Sequence, residues 1–181
     1  MPDFKMGNPA KTVISQSGTA NPTWGTGAPT GAILQNQVNY NNNYTSHIRI
    51  NSGTLTDIGQ YVDLTPIASA SNYRVEFSSG EAYMNGSSGM MTIRPTVTTV
   101  SSDTTTHSSS NDIAGGNGIQ YSEEMKRGIC SFTIFFKSSN HNLTAGTAYR
   151  FRIYISRSGS DWAYLLNATN YYFFSVQEVK A

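Results

Sequence analysis

Side chains able to act as nucleophiles, proton carriers or metal ligands are few in this chain, and their spacing argues against chemistry. His47, His107 and His141 share no metal-ligand spacing, and a single cysteine, Cys130, cannot complete a tetrahedral zinc site. No metal site and no cofactor is expected. Cys130 lies in an apolar run between Ile129 and Phe132, where it reads as a small buried hydrophobe rather than a nucleophile. Being alone, it also excludes an intramolecular disulfide framework. Acid–base catalysis needs a convergent pair, whereas Asp63, Glu76, Glu81, Asp103, Asp112, Glu123, Glu124, Asp161 and Glu178 are scattered and form no motif. They read as solvated surface charge, with a glycosidase pair that meets only in the fold as the alternative. No catalytic residue is assigned and no enzymatic activity is expected.

The glycine-rich stretches are equally bland. Residues 25–31 lack the Lys-Ser/Thr end of a phosphate loop and open no helix, and Gly115, Gly116, Asn117 and Gly118 lack the Asp and the repetition of a calcium nonapeptide. Sequons beginning at Asn43, Asn85, Asn142 and Asn167 are expected by chance in a chain this rich in Asn, Ser and Thr.

What must position any site is a set of strands. The 181 residues suit one domain, and only 13% are charged, so the polar load falls on Ser, Thr, Asn, Gln and Gly. A net charge of +1 with no Lys/Arg cluster provides no footprint for nucleic acid or an anionic membrane. The start lacks the apolar core of a secretory signal, and no stretch approaches the roughly 18 apolar residues of a membrane span. A chain made in a cytoplasm, without membrane insertion, is the expectation. Aromatic residues, at 12%, supply enough apolar surface to offset ordering entropy, so the chain should fold.

Residues 1–30, broken by Pro2, Pro9, Pro22 and Pro29, read as an extended N-terminal arm. Its sparse apolar residues, Phe4, Met6, Val13, Ile14 and Trp24, are too few for a core and need a partner surface. From residue 31 to 181 the period is two. Leu34, Val38 and Tyr40 oppose Gln35, Gln37 and Asn39; Tyr73, Val75 and Phe77 alternate with Arg74, Glu76 and Ser78. Cys130, Phe132, Ile134 and Phe136 form one face of another strand, Tyr149, Phe151, Ile153 and Ile155 of a further one, and Phe174 and Val176 of the last. The only helix candidate, residues 122–127, spans barely more than a turn, and residues 100–118 read as a long surface loop. Two antiparallel sheets packed face to face follow, an all-β sandwich or jelly roll.

Three stretches carry a resemblance. Residues 13–35, VISQSGTANPTWGTGAPTGAILQ, are similar to the shaft-to-knob passage of phage fibres; residues 57–77, DIGQYVDLTPIASASNYRVEF, and residues 144–179 resemble two further segments of the same C-terminal knobs. Together they resemble the knob domains of bacteriophage tail and head fibres, which are related in shape to the C1q and tumour-necrosis-factor jelly rolls. Departures fall at Tyr164, Leu165, Leu166 and Asn167 and at Gln177 and Glu178, so the family's binding residues are not carried over.

The resemblance implies a homotrimer on the virion surface, made in the host bacterial cytoplasm, with the arm directed to other virion proteins of capsid or tail. Such a chain would be a capsid decoration knob or short fibre; the alternative is a tail-fibre receptor-binding knob that recognises a host glycan. Outward-facing aromatics, Phe135, Tyr154 and one of Tyr171 to Phe173, with Tyr172 taken as the candidate, either cover the subunit interface or thicken the outer faces of the sheets. Tyr40 and Tyr44 are candidates for stacking on sugars, or else belong to a solvated turn.

Overall fold

Alternation is strictest in the strand Ser71–Ser78 (β6), where Tyr73, Val75 and Phe77 are buried and the residues between them are part-exposed. A side-chain period of two with one packed face dictates this pattern. The computed structural model describes residues 13–15, 23–24, 28, 30–41, 48–80, 82–84, 89–115, 117–122, 127–159, 162–165 and 172–181.

The other described strands are Val13–Ser15 (β1), Thr23–Trp24 (β2), Ile33–Asn41 (β3), Ile48–Ile50 (β4), Thr56–Leu64 (β5), Ala82–Met84 (β7) and Met90–Thr99 (β8). They continue with Ile119–Ser122 (β9), Arg127–Gly128 (β10), Ser131–Lys137 (β11), Tyr149–Arg157 (β12), Ala163–Leu165 (β13) and Tyr172–Lys180 (β14). The first four-stranded sheet runs β3-β14-β6-β11, the second β5-β12-β8-β9, and a smaller third sheet β10-β7-β13-β4; every pairing is antiparallel. Because the chain alternates between the first two sheets, from β3 to β5 to β6 to β8, neighbours in a sheet are seldom neighbours in sequence. The result is the expected antiparallel jelly-roll sandwich.

The core lies between the first two sheets. Val75, Phe77, Phe174 and Val176 of one face Phe151, Ile153, Ile155, Met91 and Ile93 of the other, all in one buried cluster. Phe151 joins the layers, its ring 6.4 Å from Tyr73 and 6.3 Å from Phe136, while Tyr73 and Phe136 stack at 5.2 Å. Burying each such side chain contributes about 1.5–3 kcal/mol. Cys130 is fully buried in the same cluster, and burial pushes its thiol up to about 12.

Several expectations need correction. In β3 Leu34 turns inward but Val38 does not. Gln37 and Asn39 pair across from Val176 and Phe174 and therefore share their face, while Val38 faces out and is 47% exposed. β3 is an edge strand whose inner side chains meet the neighbouring sheet's backbone rather than the middle of the core: Asn39 donates to the Tyr61 carbonyl at 3.0 Å, and Gln35 to the Thr65 carbonyl at 2.6 Å. The register steps at Glu178/Val179, whose partners are Gln35 and Ile33, leaving Leu34 as the extra residue of a bulge, buried.

The stretch 100–118 is pinned rather than free. It contains two 3-10 turns, Val100–Ser102 and Ser109–Asn111, bridges Asp112 to Thr96, and buries Ile113. Residues 123–126 of the helix candidate lie outside the described residues, and the ends are strand, Ser122 closing β9 and Arg127 opening β10. Of the arm, Phe4 and Met6 lie outside the described residues. The backbones of Val13, Ile14 and Trp24 belong to the β1–β2 hairpin, in which Val13 pairs with Trp24.

Candidate functional site

The outer face of the first sheet is built by register. Residues directly opposed across antiparallel strands share a face, so rows run across the sheet: Phe135, Arg74, Gln177 and Asn36; then Thr133, Glu76, Ser175 and Val38; then Ser131, Ser78 and Phe173. Lys137, Asn72, Val179 and Ile33 form a fourth row. Four apolar side chains stand out on this face: Phe135 at 70% exposure, Val38 and Ile33 at 47%, and Phe173 at 36%. Between them Arg74 and Glu76 hold each other at 2.5 Å, and the Arg74 guanidinium lies 5.9 Å from the centre of the Phe135 ring. Ser175, in the middle of the sheet, is fully buried by its neighbours, and its hydroxyl has no partner among the described residues.

Of the predicted interface residues, Phe135 alone is exposed; Tyr154 faces away from the core as expected but is covered. Tyr154 is buried on the far sheet, its hydroxyl donating to the Thr104 carbonyl at 2.7 Å and its ring meeting His107 edge-on at 5.3 Å. Tyr172 is buried with Phe174 and Val176, its hydroxyl 3.2 Å from Asn39 Oδ1. Phe173, within the stretch expected to supply an outward aromatic but passed over for Tyr172, takes the outward place. The signal was present, because a strand that buries Phe174 must bury Tyr172 and turn Phe173 out. Tyr40 stands opposite Phe173 in register, and Tyr44 lies outside the described residues.

The outer face of the second sheet carries a buried ion network instead. Arg150 makes a fork with Asp63 through two bonds of 2.7 Å and reaches Asp103 at 3.1 Å; Arg152 bonds Asp57 at 2.6 Å and also binds Asp103. Tyr61 covers both guanidiniums, 4.0 Å from Arg150 and 5.3 Å from Arg152. Burial alone would raise the Asp103 carboxyl, but its hydrogen bonds to Arg152 and Arg150 outweigh this and hold it below the ordinary value. The Tyr154 hydroxyl moves the other way, raised first by burial and further by Asp57 and Asp103. Asp112 is shared by Arg94 and His107, both at 2.6 Å.

This arrangement fastens residues 103–112 to the sheet. The His107–Asp112 pair has geometry suited to acid–base work, but Arg94 occupies the carboxylate's other oxygen and the adjacent Tyr154 hydroxyl is engaged by the Thr104 carbonyl. Among the described residues no group of three or more His, Cys, Asp or Glu could hold a metal ion, and no helix is long and apolar enough to cross a membrane. His141, half-exposed, has its imidazole pKa lowered by burial.

The expectation of solvated acids is overturned at four of them. Asp103 and Asp112 side chains are 8% and 4% exposed. Glu76 is largely covered within its ion pair. Glu178 is wholly buried. Its Oε1 accepts from the Ala68 N–H at 3.0 Å and the Ser71 hydroxyl at 2.7 Å, and its Oε2 from the Ile67 N–H at 2.8 Å and the Gln35 amide at 2.6 Å.

No protein-family model and no curated protein matches the chain. Solved structures do. The Eiger TNF of S. frugiperda is similar at a TM-score of 0.41 and 11% identity over 81% of this chain and 93% of that one. The VP2 protein of infectious bursal disease virus in derived T=1 particles is similar at 0.39 and 14% identity, covering 93% of this chain but 41% of that one. A VP2 subviral particle of the same virus gives 0.36 and 15%, covering 93% and 43%. At this level of overlap the likenesses carry no argument about activity or partners.

Proposed function

We propose that the chain is a non-enzymatic structural protein of a bacteriophage virion, a homotrimeric jelly-roll knob held to the particle by residues 1–30 and displayed as a capsid decoration or short fibre. The observation that carries this reading is the outer face of the first sheet. Phe135, Phe173, Val38 and Ile33 are exposed on one side of four paired strands, around a buried hydroxyl with no partner among the described residues. Monomeric proteins seldom leave such a face open, and aromatic residues are enriched where subunits meet. The Arg74–Glu76 ion pair of this face is satisfied within the chain, and Lys137 stands exposed at the end of the edge strand β11, where its charge can stay in water as a second copy approaches. The phage setting is supported by the sequence resemblance of residues 13–35, 57–77 and 144–179.

Native mass measurement tests the assembly. The chain of 19.7 kDa is expected at three times that mass, and Phe135→Asp at the single mass with unchanged circular dichroism. A wild-type chain that stays monomeric at tens of micromolar, a concentration an interface of ordinary size should hold, refutes the trimer. Anchoring is tested by deleting residues 1–30 and measuring capture of virion proteins, and undiminished capture would refute it.

A further inference from the structure

The small third sheet carries a surface that neither the core nor the first sheet uses. In it Ile50, Ala82, Met84, Ala163 and Leu165 are buried, which turns Arg49, Tyr83 and Tyr164 outward. Register aligns these in one row, Arg49 opposite Tyr164 and Tyr164 opposite Tyr83, with Arg127 opposite Tyr83 at the far end. The Tyr83 and Tyr164 rings lie 6.0 Å apart and tilted by 33°, a continuous shelf rather than a closed stack. Tyr83 is exposed, Tyr164 and Trp162 are half-exposed, and the exposed Arg49 guanidinium lies over the Trp162 ring.

We propose that this shelf is a binding site for an acidic saccharide, a sugar bearing a carboxylate or a phosphate. Tilted, part-exposed phenol rings present flat apolar faces, which suit the C–H face of a pyranose. Arg49 supplies the charge complement. Its guanidinium lies over Trp162 and can offer a forked pair of N–H groups to an anion, and no described carboxylate pairs with it. Charge favours a sugar over a nucleic acid: the chain carries a net charge of +1, and the row is too short to follow a phosphate backbone. A guanidinium with no described carboxylate beside it, at the end of the shelf, likewise disfavours a second copy of this face, since two copies related by a twofold axis would bring Arg49 toward a like-charged surface. The site deepens the virion-surface reading, on which it rests for where the sugar comes from.

The test uses the full chain, titrated by calorimetry and saturation-transfer NMR with oligogalacturonate, its neutral methyl ester, a phosphorylated mannose oligosaccharide and oligothymidylate. At least one acidic sugar is expected to bind, with the galacturonate and phosphate arms telling the two anions apart, and the methyl ester about tenfold or more weaker than its acid. Tyr164→Ala should weaken binding by about tenfold or more, and Arg49→Gln, at an exposed position and checked for an unchanged circular dichroism spectrum, should erase the acid-over-ester preference. Binding by neither acid, equal binding of acid and ester, tighter binding of oligothymidylate, or indifference to Arg49→Gln overturns the proposal. Native mass recorded alongside separates the two ideas. A trimer that binds no acidic sugar refutes only this site, and a monomer that binds one refutes only the trimer. Loss of the trimer in Arg49→Gln would assign the shelf to subunit contact and overturn it as a sugar site.

Discussion

Replacing Glu178 by Gln changes almost no volume, yet it should be among the more damaging single substitutions in the chain. The carboxylate is wholly buried and accepts four hydrogen bonds, two on each oxygen. On each oxygen one donor is a backbone N–H that cannot rotate away, Ala68 on Oε1 and Ile67 on Oε2. Whichever way a Gln amide is turned, its NH2 therefore meets a backbone N–H head-on. That leaves a buried donor unpaired, at a cost of about 1–3 kcal/mol, and the bonds that survive fall from charge-assisted to neutral, costing roughly 1 kcal/mol more. Against this stands the relief of no longer burying an ion that has no cation beside it among the described residues. Four donors at 2.6 to 3.0 Å make the first effect win, with a net loss of about 2–4 kcal/mol. For a chain of this size each kcal/mol lowers Tm by about 2–4 °C, so a drop of roughly 5–15 °C is expected by calorimetry at matched protomer concentration. Hydrogen exchange should show residues 65–70 opening first, because Glu178 ties that crossover to β14. A Tm within about 2 °C of wild type, or above it, refutes the reasoning.

Asp103→Asn should lower stability by about 2 kcal/mol at neutral pH, less than for a fully orphaned buried ion because Asp57 stays on Arg152 and Asp63 on Arg150. Since the folded carboxyl of Asp103 is held below its ordinary value, its contribution is present above the ordinary carboxyl range and fades as pH falls through the folded value. The gap between wild type and variant in urea melts should therefore be full at pH 7 and close in strong acid; a gap independent of pH would contradict the ion network. The Cys130 thiol, buried and pushed up to about 12, should react with a thiol reagent at pH 8 only after denaturation, and prompt native labelling would contradict its burial.

The fold was legible where one face of a strand meets the core along its whole length. β6 and β12 read correctly because a period of two and a single hydrophobic face suffice to orient them. β3 read inverted, since at a sheet edge hydrogen bonds to Tyr61 and Thr65 matter more than apolar burial, and a bulge at Leu34 changes the parity partway along. Tyr172 was misassigned though its parity with Phe174 was available, while Tyr154 could not have been placed from β12 alone. What covers Tyr154 is a loop some fifty residues earlier, and the bonds that hold that loop span 47 to 50 residues. The acids were misread for the same reason. Glu178 meets donors 107 to 143 residues away, and no local pattern encodes such partners.

The distribution of charge ties these observations to assembly. A chain with so few ionisable groups commits several of them internally: Glu178 to the crossover at residues 65–70, Asp57, Asp63 and Asp103 to Arg150 and Arg152, and Asp112 to Arg94. The bonds of Glu178, Asp103 and Asp112 fasten long connections to a sheet, while Asp57 and Asp63 clamp β5 to β12 within the second sheet. The connections over the second sheet are thereby fixed, while the outer face of the first carries the self-satisfied Arg74–Glu76 pair and four exposed apolar side chains. Fixed loops with an uncommitted apolar sheet are what a rigid projecting head requires if its copies associate by burial rather than by ion pairing, because apolar contact is little screened by salt whereas exposed ion pairs are. Arg49 on the third sheet stands apart from this economy as a guanidinium held by an aromatic ring with no described carboxylate beside it, and it is on that sheet that recognition of an outside anion has a charge to work with.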